Sequence, residues 1–244
     1  MDNRDNVQFL SDTLYHSLSD CIVGSERTVK YRRYFYKCFD ECLKQENVNY
    51  MSSGSKAEGL DLPGSDLDLM TCTNDVVDEM SENEKHINLV FDTENAVPGF
   101  ALIHVPFETH LSGTYIINTR NGLLLANDFV KKDVFQYMSE LSSVINHLSE
   151  CDFSDDIKMQ GPAISMSFDG VCDIDFVLCF SCRKWPSVAK TWLHRNRSSK
   201  WPSSELIKEA MYTDVLLVPV GIKSTSDTKY IFEWRLSFSL AEKL

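Results

Sequence analysis

The stretch Val171-Cys172-Asp173-Ile174-Asp175-Phe176-Val177-Leu178 limits this chain more than any other. Read as a strand, it places Cys172, Ile174, Phe176 and Leu178 on one apolar face and Asp173 and Asp175 on the other. Packing alone gives no reason for two carboxylates on such a strand. A second stretch repeats the pattern: in Ser65-Asp66-Leu67-Asp68-Leu69-Met70, Asp66 and Asp68 project together and Leu67 and Leu69 face a core. Just upstream stands Gly54-Ser55-Lys56-Ala57-Glu58-Gly59, a Gly-Ser turn.

Clustered carboxylates repel one another and call for a cation. All-oxygen ligands suit hard Mg²⁺, with Mn²⁺ as the alternative, and two such ions support in-line displacement at a phosphate. A Gly-Ser turn offers N–H groups, a hydroxyl and close backbone access, as a phosphate cradle needs. On this reading Asp66 and Asp68 are metal-binding and catalytic acids, and the strand bearing Asp173 and Asp175 supplies the third carboxylate.

The remaining pattern is that of an α+β chain. Leu10, Leu14, Leu18 and Ile22 stand at i+4 steps, the mark of an amphipathic helix over 7–23. A second helical stretch runs from Ser25-Glu26 to about Gln45, with Tyr34, Cys38 and Leu43 expected inward and Arg32, Arg33 and Lys37 outward. Together these form a long bent spine, 1–45, ahead of a core domain, 46–244. Strands are expected at 49–53, 66–72, 87–91, 100–107, 115–117, 215–220 and 230–235, with a polar acidic loop at 74–85. A hairpin is expected around Asp169-Gly170, joining 157–168 to 171–180. Helices are expected at 129–148, capped by Asn127 or Asp128, at 187–196, at 203–210 and from about Ser237.

The chain is 43% hydrophobic and 25% charged, enough for a sizeable core and unlike a disordered tail. The N-terminal MDNRDNVQFL lacks a secretory pattern, and no apolar run approaches the ~18 residues of a membrane span. The eight cysteines are scattered and read as buried thiols, not a disulfide framework. These features point to a soluble cytoplasmic protein, with the nucleus as the alternative and no membrane association. Cys179-x-x-Cys182 lacks a second ligand pair, so no structural zinc is expected. The six histidines show no ligand spacing.

Gly54-Ser55, followed eleven residues later by Asp66-x-Asp68, resembles the signature of polymerase-beta-like nucleotidyltransferases. Gly161-Pro162-Ala163, Ile174-Asp175-Phe176-Val177, Trp185-Pro186, Trp201-Pro202 and Glu233-Trp234-Arg235-Leu236-Ser237-Phe238-Ser239 narrow the resemblance. They are similar to the male-abnormal-21-like family, which includes cyclic GMP-AMP synthase and the cGAS-like receptors, over about residue 25 to the end. The resemblance implies a polymerase-beta-like fold, a twisted mixed sheet flanked by helices with a long N-terminal spine helix and a C-terminal helical lobe. It implies ATP or GTP as substrates, Mg²⁺, and a cyclic dinucleotide product made on sensing double-stranded RNA or DNA in innate immunity. By position, Asp66, Asp68 and Asp175 match the metal acids, and Asp173 falls outside the family's slot. Gly54 and Ser55 match the phosphate-contacting turn, and Arg235 and Ser237 a segment that approaches the nucleotide. Because the chain stops at Leu244, the helical lobe is expected to be largely absent, and with it most of the base-stacking platform and any zinc thumb. A non-catalytic adaptor, or an inactive fragment, is the rival reading. A transferase acting on RNA ends fits the Trp-Pro pairs and the WRLSFS segment less well.

Both Trp-Pro pairs are expected to open helices, with the Trp stapled back. Net charge is −12, which argues against a surface uniformly attractive to nucleic acid. Its distribution matters more: residues 57–96 hold eleven acids against Lys85 alone, so the anionic region surrounds the proposed cation site. Arg27, Lys30, Arg32, Arg33 and Lys37 in 27–37, and six bases without an acid in 183–200, are candidate nucleic-acid faces.

Overall fold

A computed structural model describes residues 3–45, 48–79, 89–105, 115–148, 157–168, 172–199, 201–222 and 228–244. The chain enters through helix α1, Asn3–Ser17, which runs into one π-helical segment, Leu18–Val23. Gly24 turns the path at φ +95°, a value open to glycine, and α2, Glu26–Cys42, begins with Ser25 as its cap. Ser25 Oγ accepts the Thr28 N–H at 3.3 Å.

The face that α2 presents to the body departs from the expected one at Tyr34, Cys38 and Arg32, while Leu43 is partly buried and Arg33 and Lys37 are exposed, as expected. Tyr34 and Cys38 are exposed, while Arg32, Tyr36, Phe39 and Asp40 are partly buried. Aromatic residues lie on both faces of this helix, so periodicity could not choose between them. Backbone carbonyls chose: Arg32 Nη1 donates to Val23 O at 2.7 Å and Gly59 O at 3.2 Å, and Arg33 Nε donates to Glu58 O at 3.0 Å.

Strand β1, Val48–Ser53, leads into a single helical turn α3, Gly54–Ala57, and then to β2, Leu67–Glu79. β2 therefore runs on through the start of the expected acidic loop; 80–88 lie outside the described residues. The remaining strands are β3, Leu89–Asp92; β4, Phe100–His104; β5, Ile116–Thr119; β6, Gly122–Leu125; β7, Lys158–Gln160; β8, Ala163–Phe168; β9, Cys172–Cys182; β10, Val215–Val218; and β11, Glu233–Ser237. Strand β6 was not expected. The β8–β9 hairpin is present in register Phe168↔Cys172, with its 169–171 turn outside the described residues.

One mixed sheet runs β1-β2-β3-β4-β11-β10-β9-β8-β7. It curls until β2 and β9 also pair, parallel, so that the six strands from β2 to β9 close a ring. The long β2 allows this: its first half pairs β1 and β9, and its far end pairs β3. Closure removes the edges that the strands of the ring would otherwise expose.

Two apolar clusters stabilise the sheet, one on each face. The larger includes Leu89, Phe91, Ile103, Leu125, Phe180, Leu217 and Trp234. Trp234 is fully buried, meets Phe180 edge to face and donates its indole N–H to Leu125 O at 3.2 Å. The smaller gathers Met70, Cys72, Val177, Cys179, Leu216 and Val218, with Leu240 of the short helix α6, Ser239–Glu242, packed on it.

Helix α4, Asn127–Leu148, starts at Asn127. Asn127 is buried, and its amide donates to Tyr230 O at 2.8 Å and Glu233 O at 2.6 Å, fastening α4 to β11. The two Trp-Pro pairs differ. Trp185 is buried beside Trp192 and Phe238 ahead of a 3₁₀ turn, Ser187–Trp192. Trp201 is 75% exposed and not stapled; Ser203 Oγ caps the next helix, α5, Ser204–Met211, by accepting the Leu206 N–H. No described helix is long and apolar enough to cross a membrane.

Candidate active site

The parallel pairing of β2 with β9 sets Asp68 directly beside Asp175. Side chains alternate, so the same face continues through Met70 beside Val177 and Cys72 beside Cys179. The acid-bearing face of β9 is thus wet only at its start. Val177 and Cys179 are buried because β9 lies between β2 and β10 under α6, a correction to the simple two-faced reading. Asp68 and Asp175 are the polar end of an otherwise apolar stripe.

Asp68 is partly buried, and burial pushes its carboxyl above the ordinary range. The charges of Asp175, Asp66 and Glu58 add to the rise. Asp66 itself is exposed and stands immediately before the first residue of β2, and its charge reaches Asp68. Asp173 is exposed and hydrogen-bonded to Ser167 across the hairpin. Among the described residues, no three His, Cys, Asp or Glu side chains stand together as a metal-holding group.

Gly54 closes the site from the β1 side. Its φ is +68°, and a Cβ there would lie 2.8 Å from Asp68 Cγ and nearer still to Oδ2. Only glycine combines that backbone with that proximity. Ser55 Oγ reaches Ser65 Oγ at 3.4 Å, linking the turn to the segment that leads to Asp66. The turn is wound on itself: Glu58 N–H donates to Gly54 O, Gly59 N–H to Lys56 O and Leu60 N–H to Ser55 O.

Helix α2 grips this turn from both sides, a role the sequence reading missed. Asp40 Oδ1 accepts the Ser52 N–H at 2.7 Å, just before Ser53-Gly54, and Arg32 and Arg33 hold the Gly59 and Glu58 carbonyls just after it. The other Asp40 oxygen pairs with Lys243 Nζ at 2.9 Å, bringing the end of α6 into the same fastening. The signal was there in Tyr36, Asp40 and Leu43, spaced along one helix line.

Arg235 and Ser237 share the sheet face of the acids, since they pair with Val218 and Leu216 of the smaller cluster. They are not neighbours of the acids. Leu217 pairs both Phe180 and Leu236, which sets Arg235 level with the Cys179 region, two strands from β9. That is roughly 13 Å along and ~10 Å across from Asp175. The intervening surface is covered by α6, whose Ser239 Oγ lies 3.5 Å from Met70 Sδ.

Farther along the stripe, the Cys72 and Cys179 sulfurs are 2.8 Å apart and buried. The Cys72 thiol, with burial, pushes the Cys179 thiol well up. Cys182, three residues on, belongs to the opposite cluster and donates to Lys184 O, so Cys179 and Cys182 do not converge.

The two basic stretches are partly committed. In α2, Lys30 pairs with Glu26, Arg27 lies over the Tyr31 ring, and Arg32 and Arg33 hold backbone carbonyls. In 183–200, Arg197 stacks on Trp192 and donates to its carbonyl, while Arg183 and Arg195 are exposed. Lys200 lies outside the described residues.

The site is thus a carboxylate pair at the start of two neighbouring strands of a curled mixed sheet with flanking helices. The Mab-21 protein nucleotidyltransferase domain matches residues 114–244, more than half of the chain. This protein therefore belongs to the Mab-21 nucleotidyltransferase-domain family. The matched span contains Asp175, Arg235 and Ser237; Gly54, Ser55, Asp66 and Asp68 lie upstream of it.

Proposed function

We propose that this protein is a metal-dependent nucleotidyltransferase of the cGAS-like receptor type that joins ATP and GTP into a cyclic dinucleotide. The observation that carries the reading is the register of Asp68 beside Asp175, on strands that a packing argument would fill with apolar residues. Oxygen-only donors suit Mg²⁺, with Mn²⁺ as substitute; Asp68 and Asp175 would hold it, with Asp66 joining from the preceding loop. Bound Mg²⁺ would neutralise phosphate oxygens and acidify the attacking hydroxyl.

The chain's own residues account for the rest. Gly54 leaves room for the Asp68 carboxylate and, with Ser55, faces the triphosphate. A carboxylate of the pair takes the proton of the ribose hydroxyl as that oxygen attacks the α-phosphate and pyrophosphate leaves. Arg235 and Ser237, some distance along the same face, suit the base or ribose end of an extended nucleotide. The exposed bases of 183–199 are the proposed contacts for a duplex activator, and the proposed setting is cytoplasmic innate immunity. Purified protein incubated with ATP, GTP, Mg²⁺ and double-stranded RNA or DNA should yield a cyclic dinucleotide, detected by chromatography and mass spectrometry. Linear products alone would exclude the cyclase reading but not transferase chemistry.

A non-catalytic binding role is the second reading. In its favour stands the exposure of Asp66 ahead of β2. Absence of nucleotide binding by calorimetry would decide for it.

A further inference from the structure

Helix α1 and its π-helical extension carry Leu10, Leu14, Leu18 and Ile22 along one line, and the whole line faces solvent. Leu10 and Leu14 are 59% and 60% exposed. The outer side of α2 carries a second unpartnered stripe, Tyr31, Tyr34, Phe35 and Cys38, with Tyr31 and Tyr34 60% and 66% exposed. An isolated helix of 15 residues is marginal in water, so α1 needs a surface to lie on.

The elbow between the helices keeps α1 off its own α2. Arg32 holds Val23 O at 2.7 Å and Gly59 O at the same time, tying the elbow to the body. Ser25 caps α2 immediately after the bend, and the Gly24 α-carbon is so close to Thr28 that a Cβ would stand 3.1 Å from its methyl. Folding α1 back would break these contacts. The two stripes can be covered together, with the elbow intact, only in trans.

Charge selects the pairing. Segment 3–23 holds Asp5, Asp12 and Asp20 against Arg4, whereas α2 holds five bases against three acids. Unlike helices attract and two α1 arms repel, weakly and over the whole helix, because Asp12 and Asp20 lie away from the leucine line. Size is also sufficient. The eight exposed side chains of the two stripes, at roughly 100 Å² each, give ~800 Å² per copy, which reaches the ~800 Å² per partner of a stable interface.

From these observations we infer that the protein forms a two-fold dimer in which α1 of each copy lies along the outer face of α2 of the other. The contact is isologous, so it closes at two copies and does not propagate. Partner and surface are then the same two helices, used reciprocally.

The test is sedimentation velocity on the full chain at several concentrations, with thermal melting to verify that each variant is folded. The wild-type chain sediments as a dimer. Leu10→Glu with Leu14→Glu, on α1, and Tyr31→Glu with Tyr34→Glu, on α2, each give a folded monomer, weakening association at least tenfold. Mixing the two variants then restores a heterodimer, because one wild-type α1 meets one wild-type α2. A wild-type chain that stays monomeric overturns the inference, whether α1 is free, docked on its own α2 or reserved for another protein. A dimer that survives either variant overturns it too. Failure of the mixed variants to associate excludes α1-on-α2 pairing and overturns it as well.

Discussion

Gly54 touches the Asp68 carboxylate: a Cβ at Gly54 would stand 2.8 Å from Asp68 Cγ and closer to Oδ2. The turn and the acid are therefore one unit, and neither can change without the other. Gly54→Ala must displace Asp68 and also place alanine at φ +68°. We expect it to reduce nucleotide transfer by at least about 100-fold, as catalytic geometry displaced by ~1 Å does, with a modest loss of stability. Steady-state pyrophosphate release and a thermal melt measure the two effects separately.

Asp68 also gives a pH-dependent prediction. Burial, then Asp175, Asp66 and Glu58, raise its carboxyl above the unfolded value. A raised acid stabilises the fold while protonated, and that contribution is lost as pH rises through the folded value. Without divalent cations, Asp68→Asn should therefore melt higher than wild type at pH 7, by about 1–3 °C, while abolishing transfer. The gap should close as pH falls towards the ordinary carboxylate range. Calorimetric scans from pH 3 to pH 7.5 in chelator provide the comparison, and a gap that widens at low pH would contradict the assignment.

Asp40 holds three elements: its own helix, Ser52 of β1 and Lys243 at the end of α6. Asp40→Ala leaves a backbone N–H and an ammonium without their acceptor and should cost about 1–3 kcal/mol in urea unfolding. Because the Ser52 bond lies two residues before Gly54, the rise in KM for nucleotide should exceed that of an exposed control such as Glu41→Ala.

Trp234 supports the larger cluster through full burial, the Phe180 edge contact and the indole bond to Leu125 O. Trp234→Ala should destabilise by roughly 3–5 kcal/mol. Trp234→Phe keeps most of the volume but leaves the Leu125 carbonyl without its donor, so it should fall between alanine and wild type in the same titration.

The elements that were legible carried periodic patterns with a hard stop. The β8–β9 hairpin, α4, α5 and β10 fall close to where alternation, turn chemistry and caps place them, and the stripe Ile174–Leu178 was read from side-chain parity alone. The parts not legible depended on partners far along the chain. Nothing local in 74–79 announces that β3 will pair with the end of β2 and extend it past the acidic residues. The inward face of α2 was set by carbonyls at Val23, Glu58 and Gly59, which a helical wheel does not see. Asp66 stands just ahead of the ladder, because β1 ends at Ser53, opposite Asp68. Asn127 also spans to β11, a contact over a hundred residues distant that no local pattern announces.

The central claim is that Asp68 and Asp175 act together in nucleotidyl transfer. Pyrophosphate release from ATP and GTP, with Mg²⁺ and duplex RNA or DNA, tests it most directly in wild type, Asp68→Asn, Asp175→Asn and the double variant. Each single change should remove nearly all release, at least ~1,000-fold, and the double variant should be no worse than either single one, since groups that act as a unit are not additive. Release that persists in folded Asp68→Asn,Asp175→Asn protein would contradict it.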